Sequence, residues 1–129
     1  MATYLDSSAI VKLAVREPES VALRRYLRRR RPLVSSALAP AEVLRARLPA
    51  GDEAVDRGRS VLQRLDLVRV NDRVLNAAAV LRPPELRSLD AIHLATAQQL
   101  GHELTALVTY DDRMVIAAKQ LGYRIARPR

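Results

Sequence analysis

Residues 3–14 read TYLDSSAIVKLA, and this stretch decides the fold class. Its beginning, Thr3 to Leu5, is of the β-forming type, whereas the apolar residues that follow Ser8 recur at helical spacing. Asp6 stands between the two halves, and Ser7 and Ser8 can cap the helix, so that a charged residue is not needed there for structure. The stretch therefore predicts a strand, a turn and a helix.

The same alternation continues along the chain. Further short strands are expected at 33–35, 67–70, 106–109 and 123–125, with helical segments between them. Strands separated by helices indicate βαβ units with right-handed crossovers, and therefore a mainly parallel sheet covered on both faces. A chain of 129 residues has the size of one domain. We expect a single α/β domain over residues 1–129, a three-layer sandwich with about four or five strands.

The composition narrows the class of function. A net charge of +8 and a pI near 10.9 favour a polyanionic partner, nucleic acid ahead of a membrane surface. An Arg-rich genome could produce the same bias without any ligand. The chain has no cysteine, which excludes disulfides, thiolate metal sites and a thiol nucleophile. No apolar run approaches the roughly 20 residues of a membrane span, and no export signal is present, so a cytoplasmic protein is expected.

Four acidic residues are expected at one edge of the predicted sheet. Asp6 ends the first strand and Asp111 follows the fourth, while Glu42 and Asp90 fall in the first turns of two helices. Ligands of open parallel sheets bind beyond the carboxyl ends of the strands, which is this edge. Each acid alone could be a helix cap, but Ser88 can already cap the helix of Asp90.

Several carboxylates that meet at one edge repel one another unless a cation compensates. Oxygen ligands suit Mg²⁺, with Mn²⁺ as a possible substitute, and they disfavour zinc. Such an ion can activate water for attack at phosphorus and stabilise the leaving oxygen. The four acids therefore predict a metal-dependent hydrolase of phosphodiester bonds.

Four blocks of the sequence resemble one known family, the PIN-domain nucleases, and within it the VapC toxins of toxin-antitoxin pairs. The blocks are Tyr4–Ala9, Ala41–Val43, Ser88–Ala95 and Val108–Asp111. Together they span the chain in the order and structural context of that family.

The resemblance implies a role for each residue of the cluster. It makes Asp6 and Asp90 the principal metal ligands and Asp111 a further ligand, directly or through water. Glu42 would orient or activate the attacking water. Ser8 and Thr109 would support the cluster. Asp112 directly follows Asp111, and either of the two could be the fourth acid.

The resemblance also implies the substrate and the partners. Structured or single-stranded RNA, transfer RNA or ribosomal RNA above all, would be cut to inhibit translation. A VapB-type antitoxin protein would hold the toxin in check, and the chain would form a homodimer.

Two further features have competing interpretations. The basic run at 24–31 could flank the RNA groove through Arg24, Arg25, Arg28 and Arg29, or could be a solvated helix face. His93 lies three residues after Asp90 on nearly the same helix face. Packing or hydrogen bonding beneath the site is expected of it, rather than a role as metal ligand or general base.

Three other functions are compatible with the sequence. A nuclease of the same family need not be a toxin. In a metal-dependent phosphatase, Asp6 would be phosphorylated, although no second acid follows at the next-but-one position. In a catalytically silent RNA-binding module, the acids would be caps only.

Overall fold

The computed structural model describes residues 1–129 and contains one sheet of five strands. The strands are β1 (Ala2–Leu5), β2 (Leu33–Ser36), β3 (Asp66–Val68), β4 (Leu104–Val108) and β5 (Ile125–Ala126). Their order in the sheet is β3-β2-β1-β4-β5, and every pairing is parallel. Because β1 lies at the centre, its carboxyl end meets those of β2 and β4.

Seven helices connect and cover the strands. They are α1 (Ser7–Ala14), α2 (Ser20–Leu27), α3 (Ala39–Arg47), α4 (Asp52–Leu62), α5 (Asp72–Ala79), α6 (Ser88–Gln99) and α7 (Asp112–Gln120). Short 3₁₀ turns follow α3 at Leu48–Ala50 and α6 at Gly101–Glu103. None of the helices combines the length and the apolar character that crossing a bilayer requires.

The sheet has an apolar core on each face, since successive side chains of a strand point to opposite sides. Leu5 packs in the core that α1 to α4 cover, together with Ile10 and Val43. Its neighbour Tyr4 packs in the other core, together with Leu94 of α6 and residues of α7. The prediction of a three-layer α/β sandwich with a parallel sheet of about four or five strands is thereby confirmed.

The capping predictions were wrong at two helices of the site. Asp6 is itself the N-cap of α1: its backbone is extended, and its carboxylate accepts a hydrogen bond from the Ala9 N–H. Ser7 and Ser8 lie inside the helix and cannot take that position. In α6, Ser88 is the first helical residue, and the cap position offers no side-chain hydrogen bond. Capping serines therefore do not free Asp6 for metal binding, and its role must rest on other contacts.

Candidate active site

Asp6 lies buried at the carboxyl end of β1, and only 3% of its surface is exposed. The hydroxyl of Ser8 donates to Oδ1 over 2.6 Å, and the hydroxyl of Thr109 donates to Oδ2 over 2.5 Å. Burial raises the pKa of the Asp6 carboxyl, while these two hydrogen bonds lower it in part. The fold thus keeps a carboxylate in a place where its charge costs free energy, which is typical of a functional group.

Ser8 and Thr109 connect this carboxylate to the loop after β4. Thr109 Oγ1 accepts the backbone N–H of Asp111 over 3.1 Å, and Ser8 Oγ accepts that of Tyr110 over 3.0 Å. The two hydroxyl oxygens are 3.5 Å apart. Both residues that sequence reasoning named as supporting are therefore in direct contact with Asp6.

Asp90 lies in the first turn of α6 and is half-buried. Desolvation raises the pKa of its carboxyl, and repulsion by Asp111, by Asp6 and, more weakly, by Glu42 raises it further. The structure thus brings all four predicted acids into one electrostatic site, although they come from four separate segments of the chain.

Glu42 lies in the first turn of α3, and its side chain is 17% exposed. His93 Nε2 is 2.7 Å from Oε1, and the Ser7 hydroxyl donates to Oε2 over 3.2 Å. His93 itself is buried, and its Nδ1 is 2.7 Å from the hydroxyl of Tyr4. His93 therefore lies beneath the site, as the sequence predicted, but the contacts of Ser7 and Tyr4 were missed. Neither has a sequence signal, since each partner is distant along the chain.

The two adjacent acids after β4 have different surroundings. Asp111 caps α7 by accepting the Arg113 N–H over 2.9 Å, and it is the largest source of repulsion at Asp90. The side chain of Asp112 is 83% exposed and forms an ion pair with Arg127 at 2.8 Å. This placement favours Asp111 as the fourth acid.

The donor set fits a hard divalent cation in its chemistry and its charge. All four side chains offer carboxylate oxygens, and a cation would relieve the mutual repulsion that raises the pKa of Asp90. As the side chains stand, however, no three acidic or histidine groups close around a common point. Asp90, in the first turn of α6, makes no side-chain hydrogen bond or ion pair, so its carboxylate can turn toward an ion without breaking a contact.

A groove of about 390 Å³ opens beside Glu42. Glu42, Ser7 and Ser8 line it, together with Lys12 and Tyr110. The Lys12 ammonium group lies 5.0 Å from the centre of the Tyr110 ring and also pairs with two glutamates of the α1–α2 loop. Sequence reasoning missed Lys12, although its position one helical turn after Ser8 places it on the same helix face.

The basic run lies apart from the acids. Arg24 and Arg28 line a second groove, of about 230 Å³, whose floor includes Leu33 and Leu65. Leu33 begins β2 and Leu65 directly precedes β3, so this groove lies at the amino-terminal edge of the sheet, opposite the carboxylates. Arg25 and Arg29 are exposed and line neither of the two grooves.

Comparison with known sequences reveals a family over nearly the whole chain. Residues 3–120 match the family described as PIN domain. The chain is 66% identical over 127 residues to Ribonuclease VapC46 of Mycobacterium tuberculosis, covering 98% of each chain. It is 45% identical over 129 residues to Ribonuclease VapC35 of the same species, covering 97% of this chain and 96% of the relative.

Solved structures show the same fold at low sequence identity. Mycobacterium tuberculosis VapC20, described as a sarcin-ricin loop cleaving toxin, superposes with a TM-score of 0.77 at 15% identity, covering 98% of this chain and 99% of that one. A toxin-antitoxin complex from Klebsiella pneumoniae gives a TM-score of 0.74 at 21% identity and 98% coverage of both chains.

Proposed function

The chain belongs to the PIN-domain family and is an endoribonuclease of the toxin-antitoxin type, and from this premise we propose that it hydrolyses RNA with Mg²⁺ held by Asp6, Asp90 and Asp111. The observation that carries the metal site is the repulsion at Asp90. Burial raises the pKa of its carboxyl most, and repulsion by Asp111, Asp6 and Glu42 raises it further; a bound cation would offset that repulsion.

Within this proposal, each residue has a separate task. Asp6 is the fixed ligand, because the hydroxyls of Ser8 and Thr109 orient both of its oxygens. Asp90, from the first turn of α6, and Asp111, from the N-cap of α7, complete the set of carboxylate ligands. Mg²⁺, or Mn²⁺ in its place, supplies Lewis-acid stabilisation of the charge that develops on the phosphate. Glu42, at the wall of the groove, orients the attacking water and accepts its proton.

The substrate we propose is structured or single-stranded RNA, with transfer RNA and ribosomal RNA as the candidates. The net charge of +8 supports a polyanion, because each neutralised phosphate releases counterions. Arg24, Arg25, Arg28 and Arg29 are exposed, and we propose that they bind phosphates of a long RNA away from the cleaved bond. That the structural neighbour VapC20 is a toxin that cleaves the sarcin-ricin loop supports ribosomal RNA.

The partner we propose is a VapB-type antitoxin. A structural neighbour of this chain is a toxin-antitoxin complex, which supports such a partner. An unchecked ribonuclease would also damage the RNA of its own cell, so inhibition by a second protein is expected. A homodimer and a cytoplasmic location complete the proposal and rest on the family alone.

No observation favours the other functions considered from the sequence. For a phosphatase in which Asp6 is phosphorylated, the second acid expected two residues later is absent, and Ser8 stands there instead and donates its hydroxyl to Asp6. A silent RNA-binding module would have no reason to retain four mutually repelling carboxylates.

Cleavage of defined RNAs by the purified chain tests the proposal. We expect cleavage with Mg²⁺ or Mn²⁺, none in EDTA, and loss in the Asp6→Asn and Asp90→Asn variants. Sequencing of the new RNA ends would identify the target. The exposed Asp112→Asn variant is the matched control and should cut like the wild type. Folded Asp6 and Asp90 variants that cut at the wild-type rate would contradict the assignment.

A further inference from the structure

We propose that His93 is a positioning residue for Glu42, and that Tyr4 sets the tautomer in which His93 does so. The inference rests on the proposed ribonuclease function. It concerns a buried chain of three side chains, Tyr4, His93 and Glu42, which leads from the core to the wall of the active-site groove.

This series of hydrogen-bonded side chains is short, and its first two members are shielded from solvent. Tyr4 is 0% exposed and His93 is 1% exposed. Both ring nitrogens of His93 have partners at 2.7 Å, the Tyr4 hydroxyl on Nδ1 and the Glu42 carboxylate on Nε2. These three residues come from β1, α6 and α3, so the chain fixes the relation between two helices and the central strand.

The direction of each hydrogen bond follows from the groups involved. An ionised carboxylate only accepts, so the proton of this contact is on His93 Nε2. In the neutral ring, Nδ1 then has the free lone pair, and the Tyr4 hydroxyl donates to it. The Tyr4 hydroxyl is buried and lies 2.7 Å from Nδ1, the distance of a hydrogen bond that it donates to that lone pair. Tyr4 thus holds the proton on the nitrogen that faces Glu42.

The two hydrogen bonds also exclude His93 as a metal ligand and as a general base. Both of its nitrogens are engaged, so neither has a lone pair left for a metal ion or for a water proton. Its effect on the reaction passes through Glu42.

Glu42 is held on both of its oxygens. His93 donates to Oε1 and the Ser7 hydroxyl donates to Oε2, so rotation of the carboxylate would break one contact or both. A carboxylate that orients water must have a fixed direction, since misplacement by about 1 Å can cost about 100-fold in rate. The histidine therefore supplies the orientation that Glu42 needs.

Two substitutions of similar size separate positioning from packing. In His93→Gln, the amide nitrogen can reach the place of Nε2 and still donate to Glu42. In His93→Asn, the shorter amide ends near the place of Nδ1 and cannot. We expect His93→Asn to lower kcat for RNA cleavage by about 10- to 100-fold with little change in KM, and His93→Gln to retain most activity. His102→Asn, at the exposed histidine, is the control.

A double-mutant cycle then shows whether the effect passes through Glu42. In a Glu42→Ala background, measured in single-turnover reactions at high enzyme concentration, His93→Asn should cause no further loss. A full additional loss in that background would overturn the proposal, as would wild-type kcat in His93→Asn. If wild-type protein cuts no RNA, the proposed function fails instead, and the two failures are thereby distinguished.

A spectroscopic measurement on the wild-type protein is independent of activity and of variant folding. The ¹⁵N chemical shifts of the His93 ring should show a protonated Nε2 and an unprotonated Nδ1. Tyr4→Phe should weaken that preference while the shifts of His102 stay unchanged. The opposite tautomer in the wild-type protein would overturn the inference.

Discussion

The hydroxyl of Thr109 donates to the Asp6 carboxylate over 2.5 Å, and the same oxygen accepts the backbone N–H of Asp111 over 3.1 Å. One side chain therefore links the Asp6 carboxylate to the backbone of Asp111, which carries another proposed metal ligand. The contact is possible because β1 and β4 are adjacent, with Leu5 opposite Val108 at their carboxyl ends. Parallel pairing of distant strands brings the acids to one edge.

The first prediction concerns Thr109→Val, which keeps the shape of the side chain and removes its hydroxyl. Asp6 loses a donor in buried surroundings, and the half-buried Asp111 N–H loses its acceptor. We expect the free energy of unfolding to fall by about 1–3 kcal/mol and cleavage to slow by about 10- to 100-fold. Urea denaturation and single-turnover cleavage measure the two effects.

Thr105→Val is the control, because Thr105 lies in β4, the strand that Thr109 directly follows, but makes no side-chain hydrogen bond in the structure. Equal losses in both variants would show that a Thr→Val change in or next to β4 acts through the stability of the strand. The claim for the Asp6 contact would then be wrong.

The second prediction is that Asp90→Asn changes the Tm in opposite directions with and without metal. At neutral pH in EDTA, Asp90→Asn should raise the Tm, because it removes a charge that Asp111 and Asp6 repel. With metal present the order should reverse. At about 100 times the Kd, a bound ion stabilises the wild type by about 2.7 kcal/mol, and the variant should lose most of this gain. Thermal unfolding with and without Mn²⁺ measures both effects. A lower Tm of the variant in EDTA would contradict repulsion at this site.

The third prediction concerns the difference in stability between Asp90→Asn and the wild type in metal-free protein, and how this difference depends on pH. Folding raises the pKa of both Asp6 and Asp90 above 3.8, so the folded state binds protons more tightly than the unfolded chain. Their contribution to stability is therefore complete below pH 3.8 and is lost as pH rises through the folded-state pKa. The extra stability of Asp90→Asn over the wild type should grow as pH rises through the folded-state pKa, and it should vanish at lower pH. An advantage that is constant with pH would show that the asparagine stabilises by other means.

The fourth prediction separates the two adjacent acids. Asp111→Asn should abolish most cleavage, by about 100-fold or more, because the loss of a ligand removes several kcal/mol of charge stabilisation. Asp112→Asn should cut at the wild-type rate, since its side chain points to solvent and pairs with Arg127. Asparagine can still accept the hydrogen bond that caps α7, so folding is preserved in the Asp111 variant. The reverse pattern of activities would make Asp112 the fourth acid.

The sequence predicted the fold class because strands and helices alternate in its local pattern. The β-to-helix change at Asp6 follows from periodicity, and the parallel sheet follows from the rule for crossovers. The meeting of the four acids at one edge was predicted from their places at strand ends and helix starts, whereas their separate roles come from the family resemblance. Strand ends were less accurate: the last strand was predicted at 123–125 and lies at Ile125–Ala126. This strand is short and at the edge of the sheet, where pairing decides its extent more than propensity does.

The hydrogen bonds that orient the acids could not be predicted, because their partners are distant in the chain. Nothing around Tyr4 indicates that its hydroxyl meets His93, and nothing around Ser7 indicates Glu42. The capping error at Asp6 has a similar cause. Ser, Thr and Asp are all good caps, and only the backbone conformation decides which of them takes the position.

The last prediction concerns the basic run. Arg24 and Arg28 line a groove at the sheet edge opposite the acids, so they cannot touch the phosphate that is cut. If they bind a distant part of a long RNA, the double variant Arg24→Gln, Arg28→Gln should raise KM and leave kcat unchanged. In a plot of the logarithm of the RNA-binding constant against the logarithm of salt concentration, the slope should become less steep by about 0.7 for each phosphate that the variant no longer neutralises. A short RNA that ends near the cleaved bond is the matched control, because it cannot reach this groove and should be cut equally well by both proteins. An unchanged salt slope with the long RNA would show that these arginines bind no RNA, and the groove would then be free for another partner.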